Sequence, residues 1–175
     1  MMSMMDTNTL VSPEALAQIW ADLARDNQSP DHYELTEHGE LVLSPKPTNR
    51  HQWICGEITF QLRTQLGGKA SMDVAIQTTT AGIRVPDVVW VPDTMWQDKT
   101  AHQEPLIAPP LVVEVLSPGN RQPEMNHKIQ GYLGSGVKEV VVIGLTGTLD
   151  YYRQDGVHPT SAFNLALSLP SHLFQ

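Results

Sequence analysis

Apolar residues recur at every fourth position as Ile54, Ile58, Leu62 and Leu66. That spacing puts them on one face and predicts a helix over 49–66 with a buried stripe. Thr48 can cap its start, and Gly67-Gly68 can close its end. A shorter helix is expected over about 12–25, where Ser12-Pro13-Glu14 combines a hydroxyl cap, a proline at the first helical position and an acid in the first turn. Leu16, Ile19, Trp20 and Leu23 form its apolar face. A third helix is expected over 121–134, closed by Gly134 and Gly136. Elsewhere the pattern is strand-like. Segments 33–35 and 40–43 flank His38-Gly39 and read as a hairpin. Segments 72–77 and 83–91 follow, the latter interrupted by Pro86. Segments 111–116 and 139–143 are apolar runs, and 149–153 and 162–167 read as later antiparallel strands. Residues 92–110 carry four prolines and read as a loop, and residues 1–10 as disordered. The order of helices and strands implies a mixed α/β (α+β) fold.

The 175 residues are 41% hydrophobic and 17% charged, enough for a packed core and unlike a disordered polyelectrolyte. Cys55 is the single cysteine, so neither an intramolecular disulfide nor a CxxC zinc site is open to the chain. Its expected role is that of a small buried apolar residue. No apolar run approaches the roughly 20 residues needed to span a bilayer, and no signal peptide is visible, so the expected compartment is the cytoplasm. The net charge of −8 is unevenly spread. Residues 1–40 hold eight acids and one base, whereas residues 41–175 hold eleven acids and ten bases. The chain is therefore expected to divide into an acidic appendage, 1–30, and a main domain, 31–175. The appendage should pack away from any site that takes a polyanion. A near-neutral body permits a phosphate-bearing substrate.

Two acids change the picture. Asp87 lies within Val85-Pro86-Asp87-Val88-Val89-Trp90-Val91, and Glu114 within Leu111-Val112-Val113-Glu114-Val115-Leu116. An ionised acid between apolar neighbours is costly unless it is paired or binds a metal. Either acid could also point outward from a half-exposed strand. Paired carboxylates on adjacent strands suit Mg²⁺, with Mn²⁺ as an alternative ion. In the helix that follows, Arg121, Met125, Lys128 and Tyr132 fall on one stripe. The Lys128 ammonium could stabilise charge developing on an attacked phosphate. Leu116 shares a face with Glu114 and cannot hold charge, so any cation of the site has to come from elsewhere.

Pro86-Asp87, Glu114-Val115-Leu116-Ser117-Pro118, Lys128, Tyr132 and Gly136-Val137 together resemble a large bacterial family of restriction-endonuclease-like proteins, abundant in cyanobacteria. Tyr33-Glu34-Leu35 before Gly39-Glu40-Leu41, Ser44-Pro45 before His51-Gln52, and Leu173-Phe174 are further marks of it. The resemblance covers about 31–175. It implies a branch of the PD-(D/E)XK nuclease fold, with a central mixed sheet flanked by helices. It also implies Asp87 and Glu114 as Mg²⁺ ligands, and Lys128 in place of the lysine that the general pattern sets two residues after the acid. The activity implied is hydrolysis of phosphodiester bonds in nucleic acid, DNA first.

Three accessory candidates carry smaller weight. Glu57 lies in the 49–66 helix, where some nucleases of this fold place another acid, although a solvated helix residue is the simpler reading. His51 matches the family's histidine and either touches phosphate or shapes the helix start. Gln77 could line the cleft from its strand. No GxSxG, GxxxxGK[ST] or GxGxxG pattern occurs, which removes nucleophile-elbow and nucleotide readings, and no HxxxH or CxxC pattern supports zinc. A catalytically silent module of the same fold is the alternative. A glycosidase with paired carboxylates is disfavoured by an aromatic content of 6%. Leu167, Leu169, Leu173 and Phe174 suggest more apolar surface than one sheet edge needs, hence a homodimer.

Overall fold

The computed structural model describes residues 9–175, so the expectation of disorder over 1–10 falls almost wholly outside the described residues. The elements are α1 (Pro13–Arg25), β1 (Tyr33–Leu35), β2 (Leu41–Leu43), α2 (Asn49–Leu66), β3 (Lys69–Met72), β4 (Ile76–Gln77), β5 (Ile83–Arg84) and β6 (Val88–Val91). They continue with α3 (Asp93–Trp96), β7 (Leu106–Ile107), β8 (Leu111–Val115), α4 (Gln122–Gly134), β9 (Glu139–Ile143), β10 (Leu149–Arg153) and β11 (Gly156–His158). The mixed α/β fold is as expected. The caps of the first two helices are too: Ser12 Oγ accepts from Ala15 N–H and Thr48 Oγ1 from His51 N–H.

The sheet is divided where one central sheet was expected. Six strands run in the order β11-β10-β9-β8-β6-β3, and five in the order β2-β1-β5-β4-β7. The division has two local causes. Asp73 takes a left-handed φ of 56° between β3 and β4. Pro86, which has no N–H to give a ladder, sits between β5 and β6. The two expected strands 72–77 and 83–91 each break there, and each contributes one half to either sheet. Asp73 and Asp87 thus stand at the junction of the two sheets.

The six-stranded sheet is covered on both faces. Ile54, Cys55, Ile58 and Leu62 of α2 pack against Val88, Trp90, Val113, Val115, Val141 and Ile143. Met125, Ile129, Tyr132 and Leu133 of α4 pack against Val89, Val91, Val112, Val140 and Val142 on the other face, joined by Ile76 and Leu106 of the smaller sheet. Each fully buried aliphatic side chain contributes about 1.5–3 kcal/mol. The alternation along β8 sends Val113 and Val115 to the α2 side, and therefore sends Glu114 to the α4 side. Gly131 lets α4 approach the turn before β5: a Cβ there would lie 2.4 Å from the Ala81 Cβ.

Two expectations are corrected. Residues 162–167 form no strand. Their backbone is held by α2 side chains instead, since Gln65 bonds both the N–H and C=O of Ala166 and Gln61 does the same for Ser168. Helix α1, expected to pack away from the cleft, brings Trp20 to its lining. Leu16 is buried with Leu35 and Ile83, and Ile19, Trp20 and Leu23 pack around them. The residues that suggested a dimer, Leu167, Leu169, Leu173 and Phe174, pack against the α2-side core. No described helix is long and apolar enough to cross a membrane.

Candidate active site

A cleft of about 510 Å³ opens at the junction of the sheets, lined by Asp87, Glu114, Lys128, His51, Glu34, Cys55, Asp73 and Trp20 among others. Strands β6 and β8 are antiparallel neighbours with Val88 opposite Val113. Continuing that register by one residue sets Asp87 opposite Glu114. Because Pro86 has interrupted the strand, the Asp87 side chain takes over a backbone role: its Oδ2 accepts from Val115 N–H at 2.6 Å. Its Oδ1 faces His51 Nε2 at 3.1 Å. The Asp87 bond is the largest influence on His51 and raises its pKa, against the opposing pull of burial.

Glu114 is 4% exposed. Its Oε1 accepts from the Tyr132 hydroxyl at 2.8 Å. Burial pushes its pKa up, Lys128 opposes that, and the neighbouring charges of Asp87 and Glu34 add to it. Lys128 donates to Glu34 Oε1 at 3.0 Å, with its side chain only 15% exposed. Burial works against the Lys128 charge, yet Glu114 and Glu34 outweigh it and hold its pKa above the usual lysine value. Glu34 is held in turn by Arg84 Nη1 at 3.2 Å and by Val85 N–H at 2.9 Å. A chain of opposite charges therefore runs from Arg84 through Glu34 and Lys128 towards Glu114.

Four sequence candidates meet in this cleft: Asp87, Glu114, Lys128 and His51. Two do not. Glu57 is exposed on α2 and does not line the cleft, and Gln77 donates to the Pro13 carbonyl at 2.6 Å, tying β4 to α1. Trp20, from the segment expected to lie away from the cleft, lines it and pairs with Tyr33 at 4.8 Å between ring centroids. Glu34 and Arg84 escaped the sequence reading as site residues. The same signal marks both, a charge between apolar neighbours in Tyr33-Glu34-Leu35 and Ile83-Arg84-Val85.

The donor set fits a hard divalent cation. Asp87 and Glu114 present carboxylate oxygens with lone pairs beyond the hydrogen bonds from Val115, His51 and Tyr132. The like charges crowding Glu114 are those a bound cation would relieve.

Two neighbouring carboxylates, Glu114 buried and Asp87 half-buried, stand beside a lysine on a mixed sheet between helices, the frame of a nuclease-like fold. The chain belongs to the Uma2 family, described as "Putative restriction endonuclease", whose pattern it matches over residues 16–173. That span takes in most of α1. Its fold is also that of a crystal structure titled as a putative nuclease belonging to DUF820 from Anabaena variabilis ATCC 29413, with a TM-score of 0.66, 20% identity, and coverage of 85% of this chain and 83% of that one. No curated protein matches the sequence.

Proposed function

We propose that the protein is a Mg²⁺-dependent endonuclease that hydrolyses phosphodiester bonds of DNA. The observation that supports this most is the convergence of Asp87, Glu114 and Lys128 on one cleft. Asp87 and Glu114 would hold the ion. When bound, it would supply Lewis-acid polarisation of the phosphate and a lowered pKa for the attacking water. The chain's own residues do the rest. Val115 N–H and His51 orient Asp87, and Tyr132 orients Glu114. Lys128, steadied by Glu34, places an ammonium where negative charge develops on the phosphate. Trp20 and Tyr33 offer aromatic faces on which a base of an unpaired strand can stack.

The test is isothermal titration of Mg²⁺ and Mn²⁺ into the wild type and Asp87→Ala, alongside plasmid cleavage. Binding and cleavage are expected in the first and neither in the second. Equal heats from both proteins would reject the site. One observation favours a catalytically silent module instead: Asp87 is already engaged by His51. Absence of metal binding to the wild type would select that reading. We further propose a homodimer through the exposed Trp53 and Phe60 of α2. Light scattering that returns the mass of one chain across micromolar concentrations would refute it.

A further inference from the structure

On the α2 side of the cleft stands a group of different chemistry. His51 and Cys55 are four residues apart, so they share one face of α2. Asp87 reaches the same point from the sheet junction. One ligand atom from each of the three, a ring nitrogen, the sulfur and a carboxylate oxygen, lies within 4.8 Å of the other two. We propose that His51, Cys55 and Asp87 form a binding site for Zn²⁺ or a similar transition-metal ion, overlapping the Mg²⁺ site at Asp87.

The geometry is close to what such an ion needs. Tetrahedral coordination with bonds of about 2.0–2.3 Å sets ligand atoms roughly 3.5 Å apart. His51 Nε2 and Asp87 Oδ1 are 3.1 Å apart, and His51 Nδ1 and Cys55 Sγ 3.6 Å. Those two distances use opposite ring nitrogens and only one would serve the ion; with one donor from each residue the atoms lie within 4.8 Å of one another, so binding has to draw them together by about 1 Å. The donor types decide the ion. Thiolate and imidazole favour borderline and soft metals, whereas Mg²⁺ takes oxygen and discriminates against sulfur. Three protein ligands leave the fourth position to water or a phosphate oxygen, as in open zinc sites.

Binding has a defined proton balance. Burial holds Cys55 firmly in its thiol form, with Asp87, Asp73 and Glu114 adding to the effect. Ligation breaks the S–H bond, forms an S–metal bond and releases that proton to solvent, and a second proton leaves wherever the pairing with Asp87 keeps the His51 ring charged, since only a neutral imidazole ligates. The consequence for activity rests on the nuclease reading above: an ion held by His51 and Cys55 engages Asp87 and displaces Mg²⁺, so Zn²⁺ inhibits. The site itself does not depend on that reading.

The test uses the full chain and Co²⁺ as a spectroscopic probe. Titration should produce a near-ultraviolet thiolate-to-cobalt charge-transfer band, which added Zn²⁺ abolishes. Zn²⁺ binding, measured calorimetrically in two buffers of different ionisation enthalpy, should release between one and two protons, one from Cys55 and the rest from the charged fraction of His51. Cys55→Ser, with folding checked by circular dichroism, should lack the band and bind Zn²⁺ at least about tenfold more weakly. Co²⁺ binding without the band, or no proton released by the wild type, overturns the proposal without any variant. A protein that shows the band but neither binds Mg²⁺ nor cuts DNA would keep this site and lose the nuclease reading. One that cuts DNA with Mg²⁺ but shows no band would do the reverse.

Discussion

Glu114 and Glu139 are both buried acids on neighbouring parallel strands, and they do opposite things. Glu139 is fully enclosed, yet its carboxylate is met from every side by donors: Arg153 Nε at 2.9 Å, Ala162 N–H at 2.7 Å and the Ser161 hydroxyl. Those bonds fold the segment after β11 back over the sheet. Glu114 is nearly as buried, but its direct hydrogen bond is from Tyr132, and two of its near neighbours are acids. A closed set of donors makes a buried carboxylate a structural fastening. An open set beside like charges leaves it with capacity for a cation. Burial alone does not separate a working acid from a structural one; the completeness of its partners does.

The contrast can be tested from both sides. The largest effect is expected at Glu114. Glu114→Gln should abolish Mg²⁺ binding and cleavage in calorimetry and plasmid assays, and should leave stability within about 1 kcal/mol, because the amide can keep the Tyr132 hydrogen bond and replaces a carboxyl that burial already pushes towards its neutral form. If Glu114→Gln instead unfolds the protein, the two acids are alike and the distinction fails. Next, Lys128→Ala should slow cleavage by about 10²–10³-fold, equivalent to about 2.7–4 kcal/mol of barrier, with Mg²⁺ affinity nearly intact. An unchanged rate would remove Lys128 from the chemistry.

At the other acid the expected loss is in stability. Glu139→Ala strands Arg153 and two further donors, and should cost about 3 kcal/mol in urea unfolding. The figure sits at the low end for a broken buried pair because Arg153 reaches solvent. Cleavage per folded molecule should be unchanged. The smallest effect is a pH slope. With chelator present, Glu114 in the folded protein holds its proton to higher pH than in the unfolded chain, since burial raises its pKa. Stability should therefore fall as pH rises from the ordinary carboxyl range towards the raised value, by at most about 1.4 kcal/mol per pH unit. Glu114→Gln should flatten that slope in denaturation curves taken from pH 5 to pH 8, as order-of-magnitude limits of the window. An identical slope in the variant would assign it to other groups.

Much of this was legible in the chain itself. The spacing of Ile54, Ile58, Leu62 and Leu66 determined α2, and Ser12-Pro13-Glu14 determined where α1 begins, because helix periodicity and capping are local effects. Asp87 and Glu114 stood out because a charge inside an apolar strand demands an explanation. The tertiary structure decided the rest, through contacts between residues far apart in sequence. It divided the sheet at Asp73 and Pro86, and set Glu34 against Lys128 across 94 positions. It pinned 166 and 168 to Gln65 and Gln61, where the pattern alone reads as a strand. It also brought Trp20 to the cleft from a segment whose acidity had argued for distance. Local pattern selects elements; which polar group answers which, and so which buried acid is left open, depends on chain that returns from elsewhere.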